Sequence, residues 1–175
     1  MSVDHGFMMD EKGAKLMANN GAFLSTQFAI LDITLEMDFL SETQLNKARE
    51  VIDASHGMVE LVKKHNIKIT FSSDSFGPDA LASSLQTREF EARARRFSNA
   101  EVLQQATLNS AELIELSGKR NPYPGKLGVV EEGAMADLLI VNGNPLTDIS
   151  LLGDPETNLL LIMKDGVIYK NRLAE

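Results

Sequence analysis

A histidine and an aspartate stand 69 residues apart: His5 in "SVDHG" and Asp74 in "FSSDSFG". Each follows a short run that reads as a strand. The interval equals two βα units of about 35 residues each, the usual range for a (β/α) barrel. Each residue also falls where a parallel strand would end, and on that rim barrels build their active sites. A neutral imidazole beside a carboxylate suits Zn²⁺ and similar divalent ions. A plainer reading fits the same residues: a His hydrogen-bonded near a strand end, and an Asp capping the next helix. Spacing alone leaves both open.

The elements that would carry the pair alternate along the chain. Residues 3–6 read as the tail of a strand. Asp10 reads as a helix N-cap, with Leu16 and Met17 facing inward and Gly21 as the stop. "AFLSTQFAIL", residues 22–31, is nearly continuous in apolar residues, as a strand buried on both faces would be. From Ser41 a long helix follows, with Leu45, Ala48, Ile52, Val59 and Val62 on one face. Residues 67–73 read as a further buried strand. Gly77 and Pro78 break the chain, and residues 80–96 return to helix. Ser98 and Glu101 form a capping box for a helix reaching to about Leu116.

After "GKRNPYPGK" the period changes. Short strands are expected at 127–130, 137–141, 159–163 and 167–170, with Asp165-Gly166 as a type I′ hairpin turn. The order β-α-β-α-β-α-α followed by a small β region predicts an α/β chain built on a parallel sheet with right-handed crossovers.

Composition narrows the partners. Hydrophobic content of 43% and charged content of 24% are those of an ordinary globular chain. A formal net charge of −8 disfavours nucleic acid and anionic membranes. The basic cluster from Arg88 to Arg96 alternates with Glu89 and Glu91 and reads as a solvated helix face. The chain has no cysteine, so disulfides and thiolate metal sites are excluded. No apolar run approaches the ~20 residues of a membrane span. No signal-peptide pattern opens the chain, and a cytoplasmic location is the expectation.

The wording of the sequence goes further than its spacing. "SVDHG", "FSSDSFG", "EVLQQATLNSAELIEL" and "LGVVEEGAMADLLIVNGNPLTDISLLGDPETNLLLIMKDGVIYKN" together resemble the amidohydrolase superfamily, and within it the imidazolonepropionase-like and Xaa-Pro dipeptidase-like metal-dependent hydrolases. The long last stretch is the most specific. The resemblance implies the C-terminal part of a TIM (β/α)8 barrel, strands six to eight with their helices, over residues 1–118. It also implies part of a small β-sandwich-like domain over residues 119–175. "VDHG" matches the end of strand six, which makes His5 a metal ligand. "SSDS" matches the end of strand eight, which makes Asp74 both a metal ligand and the general base. The implied reaction is hydrolysis of an amide-type C–N bond in a small molecule, a dipeptide or cyclic amide, with one or two divalent ions, zinc by preference.

The family's His-x-His on strand one, its bridging Lys or Glu on strand four and its His on strand five have no counterpart here. The expectation is therefore a C-terminal piece, inactive alone, holding two of five or six ligands. Its rival is a non-catalytic piece that self-associates or complements a separate N-terminal half. Double-faced apolar strands in a three-stranded sheet favour such association.

Other residues have plainer readings. Gln27 either points into the site from the end of strand seven or is a buried, hydrogen-bonded core residue. His56 lies mid-helix, and His65 at a helix end suits the macrodipole. Asp137 reads as structural, Met8, Met9 and Met17 as filler, and Tyr123 as part of a Pro-Gly connector.

Overall fold

The computed structural model describes residues 1–75, 77 and 79–173, and the side chains of residues 80 and 81 are left aside. Pro78, expected to break the chain, lies outside the described residues. The chain is mixed α/β, with two three-stranded sheets. In the first, β1 (Ser2–Asp4), β2 (Phe23–Thr26) and β3 (Ile69–Phe71) run parallel in the order β1-β2-β3.

The helices α1 (Glu11–Asn19) and α3 (Glu42–His65) lie in the crossovers, with the short α2 (Ala29–Thr34) between β2 and α3. Asp10 caps α1 by accepting from the Gly13 amide at 2.7 Å, and Gly21 takes φ +57° just beyond its end. Ser41 and Gln44 close a capping box on α3. The helix α3 ends with Lys63, Lys64 and His65, favourable for its dipole. Leu24, Phe28, Met58, Leu85 and Val102 are fully buried and form the centre of the core.

The helix α4 (Asp79–Ala94) follows β3. Then α5 (Asn99–Gln104) and α6 (Ser110–Glu115) run end to end through a π-helical turn, Gln105–Asn109. The Ser98–Glu101 capping box is present. The second sheet is antiparallel: β4 (Leu138–Val141), β5 (Leu159–Lys164) and β6 (Val167–Asn171), in the order β4-β5-β6. Asp165 and Gly166 join β5 to β6, with φ of 52° and 76°, the pair of positive values a type I′ turn requires. A short helix, α7 (Pro155–Asn158), precedes β5, and the 3-10 turn Ile149–Gly153 packs against α4. Among the described residues no helix is long and apolar enough to cross a membrane.

Four expectations need correction. The apolar run 22–31 is strand only over Phe23–Thr26; from Ala29 it is helix, so its continuous hydrophobicity reflects two buried elements in series. Leu16 does not face inward: it is 65% exposed, because the buried stripe of α1 passes through Ala14 and Met17, and Leu16 lies one step off it. The expected strand 127–130 does not form. Gly128 sits at φ +74°, where a Cβ would stand 2.7 Å from the Thr107 carbonyl, so the segment packs on the π turn instead of entering a sheet. The helix after Ser98 is interrupted by the π turn.

The two outer edges of the parallel sheet differ. Leu24 N–H donates to Lys68 O, so Lys68 faces β2, and by the period of two Ile69 and Phe71 face outward. Side chains of the π turn region meet them. Asn109 Nδ2 donates to Ile69 O at 2.8 Å, and Phe71 N–H donates to Ser110 Oγ at 3.2 Å. On β1 the inward bonds are Phe23 N–H to Met1 O and His5 N–H to Ser25 O, so Ser2 and Asp4 face outward. All of β1 is exposed, and among the described residues no strand pairs with that edge.

Candidate active site at the strand tips

His5, Gln27 and Asp74 leave the C-terminal ends of β1, β2 and β3 on one rim of the sheet. His5 and Asp74 both adopt left-handed backbone, φ 63° and 48°, without being glycine. Such conformations cost about 1–3 kcal/mol and cluster at ligand sites. His5 is followed by Gly6 at φ +66°, and a Cβ on Gly6 would stand 2.5 Å from Leu24. The chain thus turns off β1 sharply, directly over the core.

Gln27 joins the other two. It is buried, whereas His5 and Asp74 are exposed. Its Nε2 lies against His5 Nδ1 in a short contact and donates to Asp74 Oδ2 at 3.1 Å. A carboxylate only accepts, so Asp74 sets the amide's orientation. The second amide hydrogen then points at Nδ1, and the neutral His5 ring carries its proton on Nε2. Two acceptors of the kind that bind divalent metals therefore converge on one nitrogen. A cation displacing that amide would find an imidazole and a carboxylate in reach, a donor set that fits Zn²⁺. Among the described residues no group of three or more His, Cys, Asp or Glu is placed to hold a metal ion. Beside the β3 tip opens a cavity of about 510 Å³, lined in part by Ser72, Ser73 and Phe90.

Behind the rim lies an ion pair that the sequence reading placed on a solvated face. Glu89 and Arg93 have no exposed side-chain surface, and Arg93 Nε donates to Glu89 Oε1 at 2.7 Å. The correction has a simple origin. Leu85, Glu89, Ala92 and Arg93 recur at i, i+4, i+7 and i+8, the inward stripe of α4, and all four are buried. That spacing, anchored by Leu85 and Ala92, is the signal that could have found the pair. Burial pushes the Glu89 carboxyl upward, against the pull of Arg93 and the Ala29 and Phe28 amides. Burial likewise lowers Arg93 to about 10 despite its partner.

The remaining candidates fall elsewhere. His56 is exposed on α3, far along the chain from the rim elements. The His65 ring meets Glu11 at 3.1 Å, together with Lys64. Asp137 accepts from the Asp165 amide at 2.8 Å and pairs with Lys164, which holds the hairpin turn and keeps its carboxyl below the usual range. Lys164 also lies over the Tyr123 ring at 5.0 Å.

Similarity to known proteins follows the same outline. A prolidase crystallised with N-methylphosphonate-L-proline is 29% identical, with a TM-score of 0.83, over 97% of this chain and 40% of its own. An amidohydrolase structure is 31% identical, with a TM-score of 0.80, over 98% of this chain and 40% of its own. The fold is shared with the A. niger ochratoxinase, 21% identical, with a TM-score of 0.80 over 97% of this chain and 37% of its own. The chain thus spans about two fifths of the length of these structures. No curated protein is detectably similar to it in sequence. The amidohydrolase family profile matches residues 2–169, nearly the whole chain, and the chain belongs to that family.

Proposed function

We propose that this chain supplies the C-terminal part of a metal-dependent hydrolase acting on an amide-type C–N bond of a small molecule, a dipeptide or a cyclic amide. The observation that carries this reading is the convergence of His5 Nδ1 and Asp74 Oδ2 on the Gln27 amide nitrogen. The parallel sheet with its crossover helices takes the place of strands six to eight of a (β/α)8 barrel. The division near residue 118 separates that part from the antiparallel sheet.

His5 and Asp74 would hold the ion, zinc by preference. When bound, such an ion polarises the scissile carbonyl and lowers the pKa of water to about 7. The chain's own work is proton handling. The Asp74 carboxylate accepts a proton from the attacking water and delivers it to the leaving nitrogen. In the metal-free chain Gln27 donates to Oδ2 and so holds the carboxylate beside His5 until an ion takes the place of the amide. Two ligands do not complete a catalytic site, so the other ligands come from a segment outside these residues, and this chain alone does not turn over. A small peptide-like amide is favoured by the proline phosphonate bound in one similar structure.

A second reading is an assembly piece without catalysis. It is favoured by the exposed side chains of Leu139, Ile140, Val167, Ile168 and Tyr169 on the antiparallel sheet and by the bare β1 edge. Under it the chain covers these surfaces with copies of itself or with a separate N-terminal half.

One experiment separates the two. The purified chain is dialysed against chelator, titrated with Zn²⁺ by calorimetry, assayed on a panel of dipeptides and cyclic amides, and sized by light scattering. The enzyme-piece reading expects weak zinc binding that His5→Ala and Asp74→Ala both abolish, and no turnover until a chain carrying the remaining ligands is added. Zinc binding unaffected by either substitution would overturn it. Oligomers with no zinc binding would favour the assembly reading.

A further inference from the structure

The backbone on both sides of Gln27 is held by a single ion pair. Preceding it, Thr26 O accepts from Arg93 Nη2 in a short contact. Following it, the Phe28 amide donates to both Glu89 oxygens at 3.0 and 2.9 Å, and the Ala29 amide donates to Oε2 at 2.7 Å. Those amides open α2, whose N-cap position is Phe28, a residue with no side chain able to cap. Glu89 caps the helix from outside.

The same Arg93 reaches the neighbouring strand: Nη2 also donates to Ser72 O at 3.3 Å, two residues before Asp74. Its Nη1 donates to Gln105 Oε1 at 2.7 Å, and the guanidinium carbon lies 4.7 Å from the Phe71 ring centre and 5.5 Å from that of Phe28. A planar fork with five donors can make all these bonds at once; a lysine cannot.

We propose that Glu89 and Arg93 are positioning residues for the rim. By clamping the backbone of β2 on either side of Gln27, and tying it to β3 through Ser72, the pair sets the distance across which Gln27 bridges His5 and Asp74. A buried ion pair is weak evidence of stability, since desolvation offsets much of its attraction. Here each charge is spent on backbone groups at the two strand tips, which is what geometric control requires. The inference rests on the His5–Gln27–Asp74 contacts and not on a metal being bound.

The test is ¹⁵N NMR of the imidazoles in the metal-free chain. There are three histidines, so His56 and His65 serve as internal controls. Gln27→Ala defines the displacement of the His5 signal when the bridge is lost. In folded Arg93→Met and Arg93→Lys the His5 signal is expected to move the same way, by at least half that displacement, while His56 and His65 stay in place. Glu89→Gln is expected to do so to a smaller extent. A His5 signal unchanged in either folded Arg93 variant overturns the proposal. If the Arg93 variants do not fold, folded Glu89→Gln with an unmoved His5 overturns it. Failure of all three to fold would assign the pair to the core alone and overturn it equally. Because metal is absent throughout, a negative zinc titration leaves this result untouched, and the two readings fail separately.

Discussion

The two edges of the parallel sheet carry the same kind of unpaired backbone groups and treat them oppositely. At β3, Asn109 and Ser110 reach out from the helical stretch behind and bond Ile69 O and Phe71 N–H, so side chains satisfy one outward group on each of these two residues. At β1, Ser2 and Asp4 face outward from a strand exposed along its whole length. An open edge is a template for another strand. The difference teaches that the sheet has a direction of growth. It can be extended past β1 with no rearrangement, but past β3 only by displacing two side-chain bonds.

Substitutions at the two edges test this comparison. Asn109→Leu leaves Ile69 O buried without its donor, and about 1–3 kcal/mol is expected to be lost, read as a lower urea midpoint. Ser110→Ala removes a weaker bond from the same edge and is expected to cost about 1 kcal/mol by the same measurement. Ser2→Ala and Asp4→Ala on the β1 edge are expected to stay within about 0.5 kcal/mol of the parent. Equal losses at both edges would break the comparison.

The smallest effect concerns acid. Glu11, at the start of α1 on the β1 side, bonds Lys64, Lys15 and His65, and its carboxyl is lowered from 4.5 to about 2, chiefly by Lys64. A lowered carboxyl contributes stability above about 4.5 that fades as pH falls towards 2. The protection of the α1 amides, taken relative to their intrinsic exchange at each pH, is expected to fall over that window. The protection of the Phe71 amide should not follow, because its acceptor Ser110 does not titrate there. Lys64→Ala should weaken that pH dependence without removing it, because Lys15 and His65 still face Glu11.

Much of this architecture was legible in the sequence. Asp10, Ser98-Glu101 and Asp165-Gly166 are local signals, each a short-range hydrogen-bonding or φ requirement met by residue type, and each reads correctly. Asp74 could be located because it follows the apolar run of a buried strand, whereas His5 follows only Ser2–Asp4 and is reached through its spacing to Asp74 and the wording "VDHG". The role of Gln27 stayed open because its two partners lie 22 and 47 residues away, and no local pattern reports a bridge. Glu89 and Arg93 were misread for a different reason. Charge alternation usually means solvent, and only the helical phase set by Leu85 and Ala92 shows that these charges turn inward to meet carbonyls and amides of distant strands. Residues 127–130 look like a strand by composition, but Gly128 commits them to a contact with Thr107 that composition does not reveal.

The π-helical turn at Gln105–Asn109 acts on its helix as a change of phase. On a regular α-helix a residue five positions on points roughly 140° away, since each step turns about 100°. The wider turn brings residues five apart back onto one side, so that Ser110 Oγ donates to Gln105 O at 2.7 Å while Gln105, Asn109 and Ser110 all address the sheet or Arg93. Every residue downstream inherits the offset, Ala111 included, which is buried at 4% exposure. Regular α-helical winding of the same residues, with none removed, would turn Ser110 to roughly 140° from Gln105 and swing α6 round with it. The edge of β3 would lose its cover without any residue that touches it having been replaced. Removal of one residue from within the turn, such as the exposed Thr107, would instead leave Ser110 four steps from Gln105, about 40° away, and is expected to cost less than removal of a residue from the regular winding of α5 or α6.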